Sequence, residues 1–250
     1  MRRFLLTILI VFPSLVSAQQ YILPAAGSVQ GANGTYFRSD VSIWNFRDES
    51  QRIVMRWLPQ ATSGVGLPTV EITIGAYSGI QDDDFVANVM HRTGSLGAIY
   101  FTAVRPDGTL DPNARLTIQS RIWTPQPNTL GFTSQSFEAI RVTQISGDRR
   151  ALTNQRNDFR YRMNVGIVNF DLQATRTWQI LHASETTPMT LPPLSMHLIT
   201  LPRPPNSNDP FLVKILGDGG SQFTWVAFGS SVDNVSGDAW SSMAYAATFP

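Results

Sequence analysis

The sequence predicts an all-β protein of two tandem β-sandwich domains of similar topology, preceded by a cleaved signal peptide. Three observations support this prediction. Short apolar segments alternate with a period of two residues, Gly and Pro separate these segments, and one strand pattern occurs twice. Many short strands divided by such turns are typical of a β-sandwich.

The duplicated pattern is Arg38–Phe46, which returns at Arg162–Phe170 with an offset of 124 residues. Arg, Val, Ile, Asn and Phe keep their spacing in both copies. A recurrence at about half the chain length indicates two copies of one domain rather than a solenoid. We therefore expect Val41 and Val165 to be buried at equivalent places in two separate cores.

The beginning of the chain has the features of a secretory signal. Arg2 and Arg3 precede an apolar run over 4–12, and Val16–Ala18 fits a cleavage site. We predict a signal peptide over 1–18 and a protein that is secreted, periplasmic or at the cell surface. The apolar run is too short to cross a bilayer, so no membrane span is expected in the mature chain.

We expect the first domain over 19–128 and the second over 129–250, with a boundary near Pro125–Gly131. Pro24 predicts that the strand at Tyr21–Ala25 lies at a sheet edge, because Pro cannot donate to a ladder. The best candidate for a helix is the short segment Asp83–His91. Further strands are predicted at Arg38–Asn45, Arg52–Leu58, Val70–Ile74, Ala98–Val104, Leu116–Trp123, Leu191–Leu201, Phe211–Leu216, Thr224–Val232 and Met243–Phe249.

Composition excludes several classes of function. Without Arg2 and Arg3, 17 basic residues stand against 18 acidic ones, and this near neutrality argues against a nucleic-acid partner. The absence of Cys excludes thiol catalysis, thiolate metal sites and thiol redox chemistry. The three histidines lack zinc-site spacing, so no cofactor is expected.

Three segments together resemble a known class of protein. They are Phe37-Arg38-x-Asp40-Val41-x-Ile43-x-Asn45, then Gln119-Ser120-Arg121-Ile122-Trp123, and finally Val232-Asp233-Asn234-x-Ser236-Gly237-Asp238. The chain resembles secreted bacterial tandem β-sandwich modules, immunoglobulin-like and of the acidobacterial type. The resemblance implies fold and export, and it supplies no catalytic residues.

The polar members of the repeat are candidates for a structural role. Arg38 and Asp40 project on the same face of a strand, where they could pair, and Asn45 is placed to begin a turn. The second copy supplies Arg162, Asn164 and Asn169 at the matching places. Because the set occurs in both copies, a shared structural bond is favoured over a binding site.

Two other groups have a possible binding role. Asp82, Asp83 and Asp84 could offer oxygen ligands to calcium, although a solvated helix start is the favoured interpretation. Trp44 faces outward if Val41 and Ile43 face inward, so it could stack on a sugar or anchor a protein. The alternative for Trp44, favoured on the sequence alone, is burial between the two sandwiches. Trp240 is the second candidate for ligand binding.

The sequence contains none of the common motifs for nucleophilic or glycosidic catalysis. There is no Gly-x-Ser-x-Gly elbow, and the isolated Glu71, Glu138 and Glu185 do not predict a carboxylate pair. Trp57, Trp178 and Trp225 are predicted core residues. The favoured hypothesis is a non-catalytic exported binding or structural module, whose partner is a polysaccharide or another surface protein. The alternatives are a carbohydrate-active enzyme with its site between the sandwiches, and an appendage or adhesion subunit that joins neighbours by strand addition.

Overall fold

The structure is a computed structural model that describes residues 19–31, 34–126, 130–183, 185–203, 211–220 and 223–248. The predicted signal peptide (1–18) and the predicted boundary at 128/129 lie outside the described residues. The described chain is almost entirely β, as predicted. Its helical parts are the short α1 (Phe85–Asn88), inside the predicted segment, and a 3-10 turn at Val142–Gln144. Among the described residues, no helix combines the length and the apolar character needed to cross a membrane.

We refer to β1–β9 as the N-terminal half and to β10–β18 as the C-terminal half. The strands of the N-terminal half are β1 (Gln20–Gln30), β2 (Tyr36–Asn45), β3 (Gln51–Pro59), β4 (Val70–Ile74), β5 (Gly79–Asp82), β6 (Ser95–Val104), β7 (Leu116–Pro125), β8 (Phe132–Glu138) and β9 (Ile140–Arg141). The strands of the C-terminal half are β10 (Arg149–Gln155), β11 (Tyr161–Asn169), β12 (Arg176–His182), β13 (Glu185–Leu191), β14 (Ser195–Thr200), β15 (Phe211–Leu216), β16 (Trp225–Asp233), β17 (Ala239–Met243) and β18 (Tyr245–Ala246).

The C-terminal half has a large sheet, β13-β12-β15-β10-β18, and a small sheet, β14-β11-β16-β17. The N-terminal half has the same two layers, β4-β3-β6-β1-β9 and β5-β2-β7-β8. There the layers join into one sheet, because Val29 and Gln30 at the end of β1 pair with the start of β2.

The strand pairing of one half repeats in the other. Each pairing of the C-terminal half corresponds to an N-terminal pairing nine strands earlier, so that β10–β15 matches β1–β6 and β11–β16 matches β2–β7. Arg38 lies opposite Trp123, and Arg162 lies opposite Val232. From these registers, most strand residues of one half can be matched to an equivalent residue in the other half.

Two clusters of buried side chains form the interior. The first contains Val41 and the second contains Val165, and both valines are fully buried. Trp57, Trp178 and Trp225 are buried, which confirms the sequence prediction for these three side chains. The first cluster also includes side chains from the C-terminal half, and these form the contact between the halves.

The prediction of an edge strand at Tyr21–Ala25 is wrong. β1 is a central strand of eleven residues that pairs with β6, β9 and β2. The register with β6 shifts between Leu23 and Ala26, so Pro24 lies at an irregularity of the ladder. A bulge tolerates a residue without an N–H group, which explains how Pro24 fits inside a sheet.

Candidate functional site

The repeated asparagines build the same turn in both halves. Asn45 and Asn169 are fully buried, and their Oδ1 atoms accept hydrogen bonds from the backbone N–H groups of Arg47 and Asp171, each at 3.1 Å. The side-chain amide of Asn45 donates to the carbonyl groups of Glu49 and Gly75. The amide of Asn169 donates in the same way to those of Ala174, Leu191 and Pro192. These asparagines therefore tie two loops to the end of a strand.

A second turn next to each asparagine also has the same geometry. Tyr77 and Leu194 are equivalent by register and lie in the left-handed region, with φ of 45° and 51°. Their backbone N–H groups donate to the carbonyl groups of Arg47 and Asp171. A bulky residue rarely adopts a positive φ, so its occurrence at both positions shows how closely the halves correspond.

In the C-terminal half, the outer face of the small sheet is covered by the N-terminal half; we call it the covered face. The Phe170 ring stacks on Tyr100, and the Phe228 ring meets Phe137 edge-on with centroids 5.2 Å apart. Burial in this contact raises the pKa of Tyr100 to about 12. The apolar side chains of the covered face are Val168, Phe170, Leu194, Met196, Leu198, Val226 and Phe228.

The equivalent surface of the N-terminal half, which we call the open face, is the outer face of β5-β2-β7-β8. Trp44, Phe46 and Tyr77 are 46%, 51% and 65% exposed there. Their equivalents Val168, Phe170 and Leu194 are only 0%, 5% and 4% exposed. We call these three side chains of the open face the aromatic corner. The sequence-favoured burial of Trp44 between the sandwiches is thus wrong.

The indole ring of Trp44 lies over its neighbouring strand β5. Gly79 stands opposite Trp44 in the β2–β5 pairing, and a Cβ atom at Gly79 would collide with the indole ring. The absence of a side chain at Gly79 therefore lets the ring rest on the backbone of β5. Part of the indole packs over β5, and the surface that remains exposed can contact a ligand.

Arg38 and Asp40 share the open face, as predicted, but each has a different partner. The Nε atom of Arg38 lies 3.5 Å from Asp84 Oδ2, and Arg121 Nη2 lies 3.4 Å from Asp40 Oδ2. Gln81 also donates to Asp40 Oδ1 at 2.9 Å. In the C-terminal half, Arg162 donates to Asn234, and Asn164 accepts a hydrogen bond from Thr200.

A second aromatic group lies at the other end of the open face, and its binding potential was not predicted from the sequence. The rings of Trp123 and Phe132 meet edge-on with centroids 5.3 Å apart, and the Arg38 guanidinium lies 5.6 Å from the Trp123 ring. The indole N–H of Trp123 donates to the carbonyl of Asp83 at 3.3 Å. The period-two alternation of β7 was the available signal, since it places Trp123 and Arg121 on the same face.

The three adjacent aspartates do not converge on one point. Asp82 accepts hydrogen bonds from the Asp84 backbone N–H and the Asn88 amide, whereas the Asp84 carboxylate turns to Arg38 and Ser28. Within the described part of the chain, no three His, Asp or Glu residues group closely enough to hold a metal ion. The geometry therefore gives the calcium hypothesis no support.

Trp240 lies apart from Trp44, on β17 in the small sheet of the C-terminal half. It is half-buried, its indole N–H donates to the Asn154 carbonyl at 2.8 Å, and its ring meets Tyr161 edge-on. These contacts give Trp240 a packing role, and the structure does not bring the two candidate tryptophans into one site.

A cleft of about 640 Å³ lies between the halves. Its lining includes the apolar side chains of Phe37, Phe137 and Leu198 and the side-chain amide of Gln135. Asp233 is the sole carboxylate among the described lining residues, and Arg160 pairs with it at 2.7 Å. Hydrogen bonds from the Val235 backbone N–H and then from Arg160 hold the pKa of Asp233 below its ordinary value.

Comparison with known proteins does not assign a family. No family model matches the chain, and no similar protein was found among curated sequences. The chain is similar to a solved structure described as "Crystal Structure of Thermotoga maritima 1070", with 13% identity and a TM-score of 0.35. That likeness covers 48% of this chain and 92% of the other, and it is too weak to support an argument about fold or function.

Proposed function

We propose that this protein is an exported, non-catalytic binding module of two tandem β-sandwich domains that acts at the cell surface or outside the cell. The repeated strand pairing and the two buried clusters support the duplication. Because β8 and β9 pair with β7 and β1, the domain division then lies between Arg141 and Arg149 rather than at 128/129. The proposal of export rests on the N-terminal sequence over 1–18.

The exposure of the aromatic corner is the observation that most favours a binding function. The aromatic corner exposes three large rings at positions whose equivalents in the C-terminal half are buried by a protein contact. Single exposed apolar residues are ordinary, but a contiguous group of them marks an interaction surface. The open face is therefore the proposed binding surface, and Trp44, at one end of it, is the residue on which the binding test depends.

The cleft between the halves gives the enzyme alternative little support. Glycoside hydrolysis by the usual route needs two carboxylates that flank the scissile bond. Among the described residues that line the cleft, Asp233 is the sole carboxylate, and it is already paired with Arg160. A pair of acidic groups across the groove is thus missing from the described lining.

A binding experiment tests the proposal. The mature protein would be immobilised and presented with a polysaccharide panel and with solubilised envelope proteins. We expect at least one component to be retained, and to be lost from a variant with Trp44→Ala, Phe46→Ala and Tyr77→Ala together. The control is Val65→Ala with Leu172→Ala, which removes exposed apolar side chains elsewhere. Equal retention by the corner variant and the wild type would contradict the proposal, as would release of new reducing ends from a bound polysaccharide.

The appendage alternative makes a different prediction. Strand addition between neighbouring molecules would give oligomers whose size depends on concentration. Size-exclusion chromatography with light scattering measures this directly. A single monomer mass over a wide concentration range would discard strand addition and leave the binding proposal in place.

A further inference from the structure

The aromatic groups of the open face stand at its two ends, and the polar residues lie between them. Trp44 and Arg38 lie on the same face of β2, and Arg38 is opposite Trp123. The six-residue separation along β2 corresponds to about 20 Å at roughly 3.3 Å per residue. The open face thus presents two aromatic surfaces at a spacing greater than the size of a single sugar ring.

The residues between the two ends are rich in hydrogen-bonding groups. Ser42, Gln119 and Arg121 face outward beside Asp40, and Gln81 donates to Asp40 from the next strand. The equivalent positions in the covered face are suited to a protein contact instead. Gln81 and Gln119 replace Leu198 and Phe228, and Thr117 replaces Val226. An apolar protein surface placed here would leave these groups without partners, which is costly.

A chain of pyranose rings is complementary to a surface with aromatic residues at its ends and polar residues between them. Each ring has an apolar C–H surface that packs on an indole, and hydroxyl groups around its edge that bond to amides and carboxylates. The charges of the open face also bear on the choice of ligand. Arg38 pairs with Asp84 and Arg121 pairs with Asp40. Glu138 adds a negative charge opposite Gln119, and the exposed Arg115, whose carbonyl accepts a hydrogen bond from the Phe46 backbone, adds a positive one. A neutral chain is favoured over an anionic one on this surface.

We propose that the open face binds a linear, neutral polysaccharide that runs along β2 from Trp44 to the Trp123–Phe132 pair. This inference rests on the proposed binding function and names its ligand class. Asp40 and Arg121 bond the hydroxyl groups of the central sugar units, and the two aromatic ends hold the outer units. Occupation of both ends predicts that affinity increases with oligosaccharide length until both are filled.

Calorimetric titration tests the inference with β-linked gluco-, xylo- and manno-oligosaccharides, from disaccharide to octasaccharide, and with polygalacturonate as the anionic comparison. We expect one neutral series to bind, with the hexasaccharide at least about tenfold tighter than the disaccharide. Trp44→Ala and Phe132→Ala each weaken the long ligand by about tenfold or more and reduce the dependence on length. Phe132→Ala is chosen because Phe132 is exposed, so the variant retains its fold, whereas Trp123 has contacts that stabilise the loop before α1. Leu172→Ala is the control and leaves the affinity unchanged.

Three results would overturn the inference. They are equal affinity for the disaccharide and the hexasaccharide, preference for polygalacturonate, and absence of Trp44-dependent binding to any saccharide. If an envelope protein or a second copy of the chain binds through Trp44 instead, the polysaccharide assignment is wrong and the binding-module function stands. If no ligand of any class depends on the aromatic corner, both proposals are wrong.

Discussion

The two small sheets share a strand order but differ in their surroundings. β16 is buried at every position, whereas its equivalent β7 alternates between buried and more exposed residues. The difference comes from the outer face alone, since the inward residues of both strands pack in a core. Two halves with the same strand pairing therefore have similar interiors and turns, while their outer faces have different surroundings.

The covered face also shows what a protein contact requires in this fold. Ser230 accepts a hydrogen bond there from the amide of Gln135 in the N-terminal half, and seven other contact positions, from Val168 to Phe228, are apolar. At the equivalent positions, the open face keeps three aromatic rings and has small or polar residues at the other four. This mixed chemistry is the physical reason to expect a polar ligand rather than another β-sandwich on the open face.

Of all the paired substitutions on the two faces, Phe228→Ala and Gln119→Ala are expected to differ most in their effect on the free energy of unfolding. Phe228→Ala removes a ring buried between the halves and leaves a cavity, so we expect a loss of about 3–5 kcal/mol in the free energy of unfolding. Gln119→Ala on the open face changes this free energy by less than about 0.5 kcal/mol. Urea denaturation followed by tryptophan fluorescence measures both. Similar losses would show that the open face is also covered in solution.

Substitution of either repeated asparagine by Ala should lower the free energy of unfolding by a similar amount, whether or not the neighbouring face is covered. Asn169→Ala leaves buried carbonyl groups without donors, and we expect a loss of about 2–4 kcal/mol in the free energy of unfolding. Asn45→Ala is the matched variant and should cost a similar amount. The same denaturation experiment applies. A small effect at either position would contradict a structural role for that copy of the repeat.

Gly166, which packs against the ring of Phe228, and its equivalent Ser42 should differ by a smaller amount in the effect of substitution on stability. A Cβ atom at Gly166 would collide with the Phe228 ring, which Phe137 holds in place from above. Gly166→Ala is expected to destabilise the fold by about 1–3 kcal/mol through overpacking. Its equivalent on the open face is Ser42, where Ser42→Ala should be nearly neutral. Combining Gly166→Ala with Phe228→Leu should recover part of the loss, and no recovery would refute this explanation.

The last expected effect is confined to alkaline pH, where the free energy of unfolding depends on Tyr100. The pKa of Tyr100 is about 12 in the folded state and about 10 in the unfolded state. The contribution of the protonated side chain to the free energy of unfolding is therefore complete below pH 10. That contribution, on the order of 2 kcal/mol, is lost as the pH rises from about 10 through 12. Tyr100→Phe should show a weaker loss of stability over this window, measured by denaturation at each pH. Identical pH profiles for the variant and the wild type would show that water reaches Tyr100 in the contact between the halves.

Local pattern in the sequence was sufficient for much of the fold. The period-two alternation and the turn residues predicted an all-β chain, and the repeat at Arg38–Phe46 and Arg162–Phe170 identified equivalent strands. Asn45 was recognised as a turn-former because its side chain bonds to backbone only two residues onward. Such interactions depend on near neighbours in the chain, and for this reason they can be recognised without a structure. Pro24 was misplaced because a bulge depends on the neighbouring strand.

The tertiary structure alone decided which outer face is buried. Trp44 and Val168 occupy the same place in the same pattern and both are apolar, so the position in the repeat does not reveal which of them is buried. Burial is set by the packing of the N-terminal half against the small sheet of the C-terminal half. The ion-pair partners of Arg38 and Asp40 could not be predicted from the sequence either, because Asp84 and Arg121 lie on other strands and loops. Contacts between residues far apart in sequence depend on how the sheets pack, and the local pattern does not encode that arrangement.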